Sequence, residues 1–166
     1  FVILGFHSDN GSEYLNKVVA RLLQKLLIEQ TKSRSRRTND NALVEGKNAA
    51  VVRKHFGYMH IPRKYAALMN EFNRRYLNPY LFFHRQCAFA DEIVDGKGKI
   101  KKVYKTYLTP CEKLLSIGNV EHYLKPGITA ESLRTRMMAQ THLAAAQEMQ
   151  EAKYALFKEI KRRMVQ

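Results

Sequence analysis

Apolar residues return along this chain in three rhythms. A continuous run, Phe1-Val2-Ile3-Leu4, opens the sequence and predicts a buried strand over residues 1–7. Leu15, Val18, Val19, Leu22, Leu23 and Leu26 then recur every three or four positions and predict a helix over 12–26, with Asn10 and Glu13 placed as a capping signal. A short strand is expected over 27–31. A second helical pattern over 41–56 carries Val44, Val51, Val52 and His55 and closes at Gly57, with Asp40 as its expected N-cap.

Beyond residue 60 the rhythm is mostly helical. Pro62 can stand at the start of a helix over 63–76, which Asn78-Pro79 is expected to end. Alternating residues over 88–94 and 100–108, joined through Asp95-Gly96-Lys97-Gly98, predict a β-hairpin whose second arm is rich in lysine. Thr109-Pro110-Cys111-Glu112 is a capping box that opens a short helix before Gly118. Thr129 then caps the longest helical pattern, 130–164, free of Gly and Pro and striped by Leu133, Met137, Met149, Leu156 and Ile160. A rod of that length would span about 52 Å, which points to either helix pairing between chains or docking within one.

The fold class these patterns predict is α/β at the start, followed by a mostly α-helical tail with one β-hairpin. The expected divisions are 1–60, a helical extension over 61–80, a hairpin module over 81–108 and a helical tail over 109–166.

Charge narrows the partners. The 166 residues hold 29 Lys+Arg against 15 Asp+Glu, a formal net charge of +14, as chains that bind polyanions do. The segment Thr31-Lys32-Ser33-Arg34-Ser35-Arg36-Arg37-Thr38 concentrates four basic residues with interleaved hydroxyls and no acid. Such a loop suits phosphate oxygens, because Arg offers a planar fork and Ser a rotatable hydroxyl, and its grip should weaken with salt. Lys64, Arg74 and Arg75 beside Tyr65, Phe72 and Tyr76 are a second basic and aromatic set, though aromatics at helical spacing more often fill a core. Two cysteines, Cys87 and Cys111, fit a reduced cytoplasmic interior, and the apolar opening of the sequence is too short for a signal peptide or a membrane span. His84, Cys87, Cys111 and His122 are a weak zinc set, since only the first two are closely spaced.

The candidate chemistry lies in two acids. Asp9 falls just past the end of the first predicted strand and Glu45 on the second predicted helix, with thirty-five residues between them. An acid at a strand end and an acid on a helix can meet in one cleft. Mg²⁺ or Mn²⁺ is held by a few such carboxylates together with substrate phosphates. A pair of these metals activates an attacking oxygen and stabilises a leaving one.

His7-Ser8-Asp9-Asn10-Gly11-Ser12-Glu13-Tyr14, the basic loop, and Asn39-Asp40-Asn41-Ala42-Leu43-Val44-Glu45-Gly46-Lys47-Asn48 together resemble the catalytic core of bacterial insertion-sequence transposases related to retroviral integrases. The resemblance covers roughly residues 1–60. It implies an RNase H-like core with an Asp, Asp, Glu triad, in which Asp9 is the second acid and Glu45 the third, two Mg²⁺ or Mn²⁺ ions, and DNA as partner. It further implies cleavage and strand transfer at phosphodiesters, a homo-oligomer in the complete transposase, and a bacterial, nucleoid-associated setting. Asn10, Lys32, Arg34, Arg36, Arg37, Lys47, Asn48 and Arg53 are the candidate DNA contacts.

Two departures matter. The family's first Asp lies on an earlier strand, and this chain opens at Phe1, inside the apolar run, which predicts coding sequence upstream and little catalysis by the chain alone. Seven residues after Glu45, where many relatives carry Lys or Arg, stands Val52, with Arg53 next. A non-catalytic DNA-binding or helical assembly remnant is the alternative reading, and a metal nuclease without strand transfer is a third.

Overall fold

The computed structural model describes residues 2–35, 48–96 and 98–165. The chain divides into two compact units, Phe1–Ile61 and Pro62–Gln166. Among the described residues it is a mixed, mostly helical structure with two small sheets, one in each unit.

In the first unit, β1 (Gly5–Ser8) and β2 (Glu29–Lys32) pair in parallel, Gly5 opposite Glu29 and Ser8 opposite Lys32, and α1 (Lys17–Lys25) makes the connection. The expected opening strand is therefore shorter than its apolar run. Residues 2–4 lie outside it and are exposed, Leu4 contributing only a carbonyl to the Glu29 N–H.

The expected helix over 12–26 also starts later. Gly11 accepts N–H bonds from Tyr14 and Leu15, which closes a turn, and the Asn16 side chain then accepts from Val18 and Val19 at 3.0 Å each. An Asx side chain that satisfies two of the open donors of the first turn fixes the start at Lys17. At the other end the Ile28 N–H reaches the Leu23 carbonyl and the Leu27 N–H reaches Gln24, with Leu27 at φ 55°. This is a Schellman stop made with a leucine where glycine is usual.

Of the second expected helix, Asn48–Arg53 has π-helical geometry and runs into the α-helical turn α2 (Lys54–Phe56). Gly57, at φ 71°, ends it.

The second unit begins with a helical run from Arg63 through α3 (Ala66–Phe72) to His84, with π-helical segments at Asn73–Leu77 and Tyr80–His84. The expected stop at Asn78-Pro79 does not occur. The Asn78 N–H bonds to the Asn73 carbonyl and the Arg85 N–H to Tyr80, five residues back in each case. Those widened turns on either side of Pro79 accommodate a residue with no N–H and relieve its ring from the preceding turn.

Next come the antiparallel strands β3 (Cys87–Val94) and β4 (Ile100–Leu108), with an irregularity between Phe89 and Asp91. Their turn is fastened by Asp95, whose carboxylate accepts the Lys99 N–H, and by Gly98 at φ 76°. The helix α4 (Pro110–Leu115) carries the predicted capping box, in which Thr109 and Glu112 satisfy each other's backbone N–H.

The single rod predicted over 130–164 is two helices, α5 (Ala130–Met138) and α6 (His142–Val165). The Thr141 hydroxyl accepts the Ala144 N–H at 3.2 Å and its carbonyl the Ala145 N–H, so a new N-terminus forms inside a periodic sequence. The break lets α6 pack along the 63–84 run. Tyr65, Phe72 and Leu77 are buried on that run, and Ala145, Met149, Leu156 and Ile160 on α6. A second cluster joins Phe83, Cys111, Leu124 and Leu133. The apolar stripe that could have paired two chains is thus used within one, by intramolecular docking.

Candidate functional site

The carboxyl ends of two parallel strands form the natural edge for a ligand in α/β structures, because the loops that leave them diverge around a crevice. Here the loop leaving β1 begins with Asp9 and Asn10, and the segment leaving β2 with Ser33 and Arg34. Of the predicted residues, Asp9, Asn10, Lys32 and Arg34 stand at that edge.

Asp9 is exposed. Its Oδ1 accepts the Gly11 N–H at 2.9 Å, an Asx turn that sets the direction of the carboxylate. Its second oxygen takes no hydrogen bond from any described residue, which is what a group meant to ligate a cation requires.

Asn10 donates from Nδ2 to the Ser33 carbonyl at 3.2 Å, tying the two loops together. This is a correction to its expected place in a cap of α1, a place that Asn16 takes. Beneath it lies a network that spacing alone does not reveal. His7 Nδ1 is 2.9 Å from Thr31 Oγ1, His7 Nε2 is 3.2 Å from Ser33 Oγ, and Ser33 Oγ donates to the Ser8 carbonyl at 3.3 Å. The His7 ring thus lies between the Thr31 and Ser33 hydroxyls, one at each nitrogen. His7 therefore positions the edge, with both ring nitrogens engaged. The signal was the strand register, which puts His7 opposite Thr31.

Lys32 ends β2 and is exposed, as is Arg34 two residues on. Arg53 is also exposed, with its guanidinium carbon 5.3 Å from the centre of the Tyr58 ring. A cation over an aromatic face is held in place by the ring quadrupole and keeps its outer N–H groups for a partner. Glu45, Arg36, Arg37 and Lys47 lie outside the described residues, and for Asn48 only the backbone, at the start of the π-helical segment, is described.

Among the described residues no group of three or more His, Cys, Asp and Glu side chains is placed to hold a metal ion. That set includes Asp9 but not Glu45. It also means that His84, Cys87, Cys111 and His122 do not assemble as a zinc site. No described helix is long and apolar enough to cross a membrane.

The second basic and aromatic set divides as core and surface. Tyr65 and Phe72 are buried, while Arg74 and Arg75 pair with Glu71, and the Arg74 contact holds that carboxyl below the usual range.

Comparison with known proteins adds one relative. The chain is 41% identical over 58 residues to the uncharacterized protein y4rM of Sinorhizobium fredii (strain NBRC 101917 / NGR234), a stretch equal to 35% of this chain and 17% of that protein. The match thus spans about a sixth of the relative's length. No protein-family model matches the chain, and no solved structure does.

Proposed function

We propose that this chain contributes the second and third acids of an RNase H-like transposase or integrase, which cleaves DNA and joins strands by metal-dependent attack on phosphodiesters. The observation that carries the reading is Asp9 at the carboxyl edge of a parallel β-α-β unit, one carboxylate oxygen without a hydrogen bond from any described residue and the Ser33-Arg34 segment beside it. In this reading Asp9 and Glu45, with an Asp on an earlier strand, hold two Mg²⁺ or Mn²⁺ ions. The ions would activate water or a DNA 3′-hydroxyl and stabilise the leaving oxygen.

The chain's own residues do the rest. Asp9 is aimed by its Asx turn. The His7, Thr31 and Ser33 network keeps the two loops in register, and Lys32, Arg34, Arg36 and Arg37 bind phosphates without reading sequence. Asn10 locks the loops together, while Lys47, Asn48 and Arg53 contact the DNA. The active assembly is a homo-oligomer on transposon ends and target DNA, in the bacterial cytoplasm.

Strand cleavage by the full-length gene product tests this. Asp9→Asn should lower the rate by roughly a thousandfold or more while DNA affinity stays within about twofold, since a phosphate-binding loop supplies most of the binding. Unchanged cleavage refutes the assignment. DNA binding that is indifferent to Mg²⁺, with no cleavage in the unsubstituted protein, would favour the non-catalytic alternative.

A further inference from the structure

The start of α6 meets the end of the 63–84 helical run through two imidazoles. His84 is buried, and its Nδ1 lies 3.3 Å from Nδ1 of His142, the first residue of α6. The ring centroids are 5.5 Å apart and the planes inclined at 67°. We infer that His84 and His142 form a binding site for a borderline transition-metal cation of the Zn²⁺ or Ni²⁺ class, which clips the two helices together. The inference does not rest on the proposed DNA chemistry.

The geometry carries it. Two facing Nδ1 atoms can bond directly only if one ring is protonated there and the other is not. A metal ion asks instead for two bare Nδ1 atoms, with the protons on Nε2. Metal–nitrogen bonds of about 2.0–2.1 Å separate two ligand nitrogens by about 3.3–3.4 Å at the tetrahedral angle of Zn²⁺ and by about 2.9 Å at the right angle of Ni²⁺. The observed 3.3 Å matches the first and is close to the second, so either ion needs a tautomer change and small ring rotations, and no large movement of the helices.

The surroundings keep the buried ring ready as a ligand. Burial, and then the neighbouring His142, hold His84 below its ordinary pKa, so its neutral form is favoured. His142 is the first residue of the 24-residue helix α6, so its position is fixed by that helix. His142 is exposed, so water can complete the coordination, there being no third His, Cys, Asp or Glu at the site among the described residues. Imidazole ligands select Zn²⁺, Ni²⁺ and Cu²⁺ over Mg²⁺ and Ca²⁺, which separates this site from the carboxylate site at Asp9. The two ligands are 58 residues apart, so the bridge would close a long loop and fix α6 just where Thr141 starts it.

Thermal unfolding of the 166-residue chain with added Ni²⁺ or Mg²⁺ tests the site, in parallel with His142→Gln. Saturating Ni²⁺ should raise the Tm of the unsubstituted chain by roughly 5 °C or more, Mg²⁺ should leave it unchanged, and His142→Gln should lose most of the nickel shift. The exposed His7, His60 and His122 are present in both proteins, so any shift they produce is common to the pair. If His142→Gln is itself less stable, the comparison still holds, because each nickel shift is read against the same protein without nickel. No shift in the unsubstituted chain, or an equal shift in both, overturns the proposal.

Discussion

Helices α1 and α6 have the same kind of apolar stripe and opposite fates. On α6, Ala145 and Met149 are 2% exposed and Ile160 is fully buried against the rest of its unit. On α1, Leu23 is buried, but Val18 is 78% exposed, Leu22 54% and Leu26 57%. Residues 2–4, at the edge of the same unit, are exposed as well. An amphipathic stripe shows that a helix can be covered, and only the neighbours decide whether it is. The second unit supplies its own cover, and among the described residues the first leaves much of its apolar surface exposed.

The sharpest contrast comes from deleting apolar bulk on each side. Ile160→Ala should cost about 2–5 kcal/mol, read by chemical denaturation, because it empties a closed site. A loss below about 1 kcal/mol would mean that the α6 interface is looser than its burial implies. The next effect is smaller and of opposite sign. Leu27 holds φ 55° at the stop of α1 and is 89% exposed, so Leu27→Gly should stabilise the first unit by about 1 kcal/mol by removing a left-handed strain without losing packing. Any destabilisation there would show that Leu27 makes contacts its exposure hides. The smallest effect belongs to Leu22→Gln, expected within about 0.5 kcal/mol. A loss of several kcal/mol would break the comparison, since it would mean that the α1 face is covered in solution.

What the sequence made legible was local. The Asp95 turn and the Thr109 and Glu112 capping box lie within a few residues of their partners, and their chemistry names them in advance. Asp9 could be placed past a strand for the same reason. What escaped were local competitions between good alternatives. Asn10 and Asn16 are both plausible caps, and only the second faces the open N–H groups, because the first is drawn to Ser33 across the sheet edge. Pro79 reads as a stop until the backbone around it widens. Thr141 lies inside an unbroken helical rhythm, and its hydroxyl chooses to begin a helix there. The long-range pairs were illegible for a different reason. Nothing in the spacing of His84 and His142, or of His7 and Ser33, announces that the fold brings them together. For the acids the sequence offered a spacing, and the structure adds the strand edge that gives one of them its direction.

The central claim is that Asp9 and Glu45 act as one metal-holding unit, and a double-mutant cycle on strand cleavage by the full-length gene product addresses it directly. Asp9→Asn and Glu45→Gln should each lower the rate on the order of a thousandfold, and the double variant should be no slower than the worse single one, because groups that act as a unit are lost together. Two losses that multiply in the double variant, or a Glu45→Gln protein that cleaves normally, would contradict it.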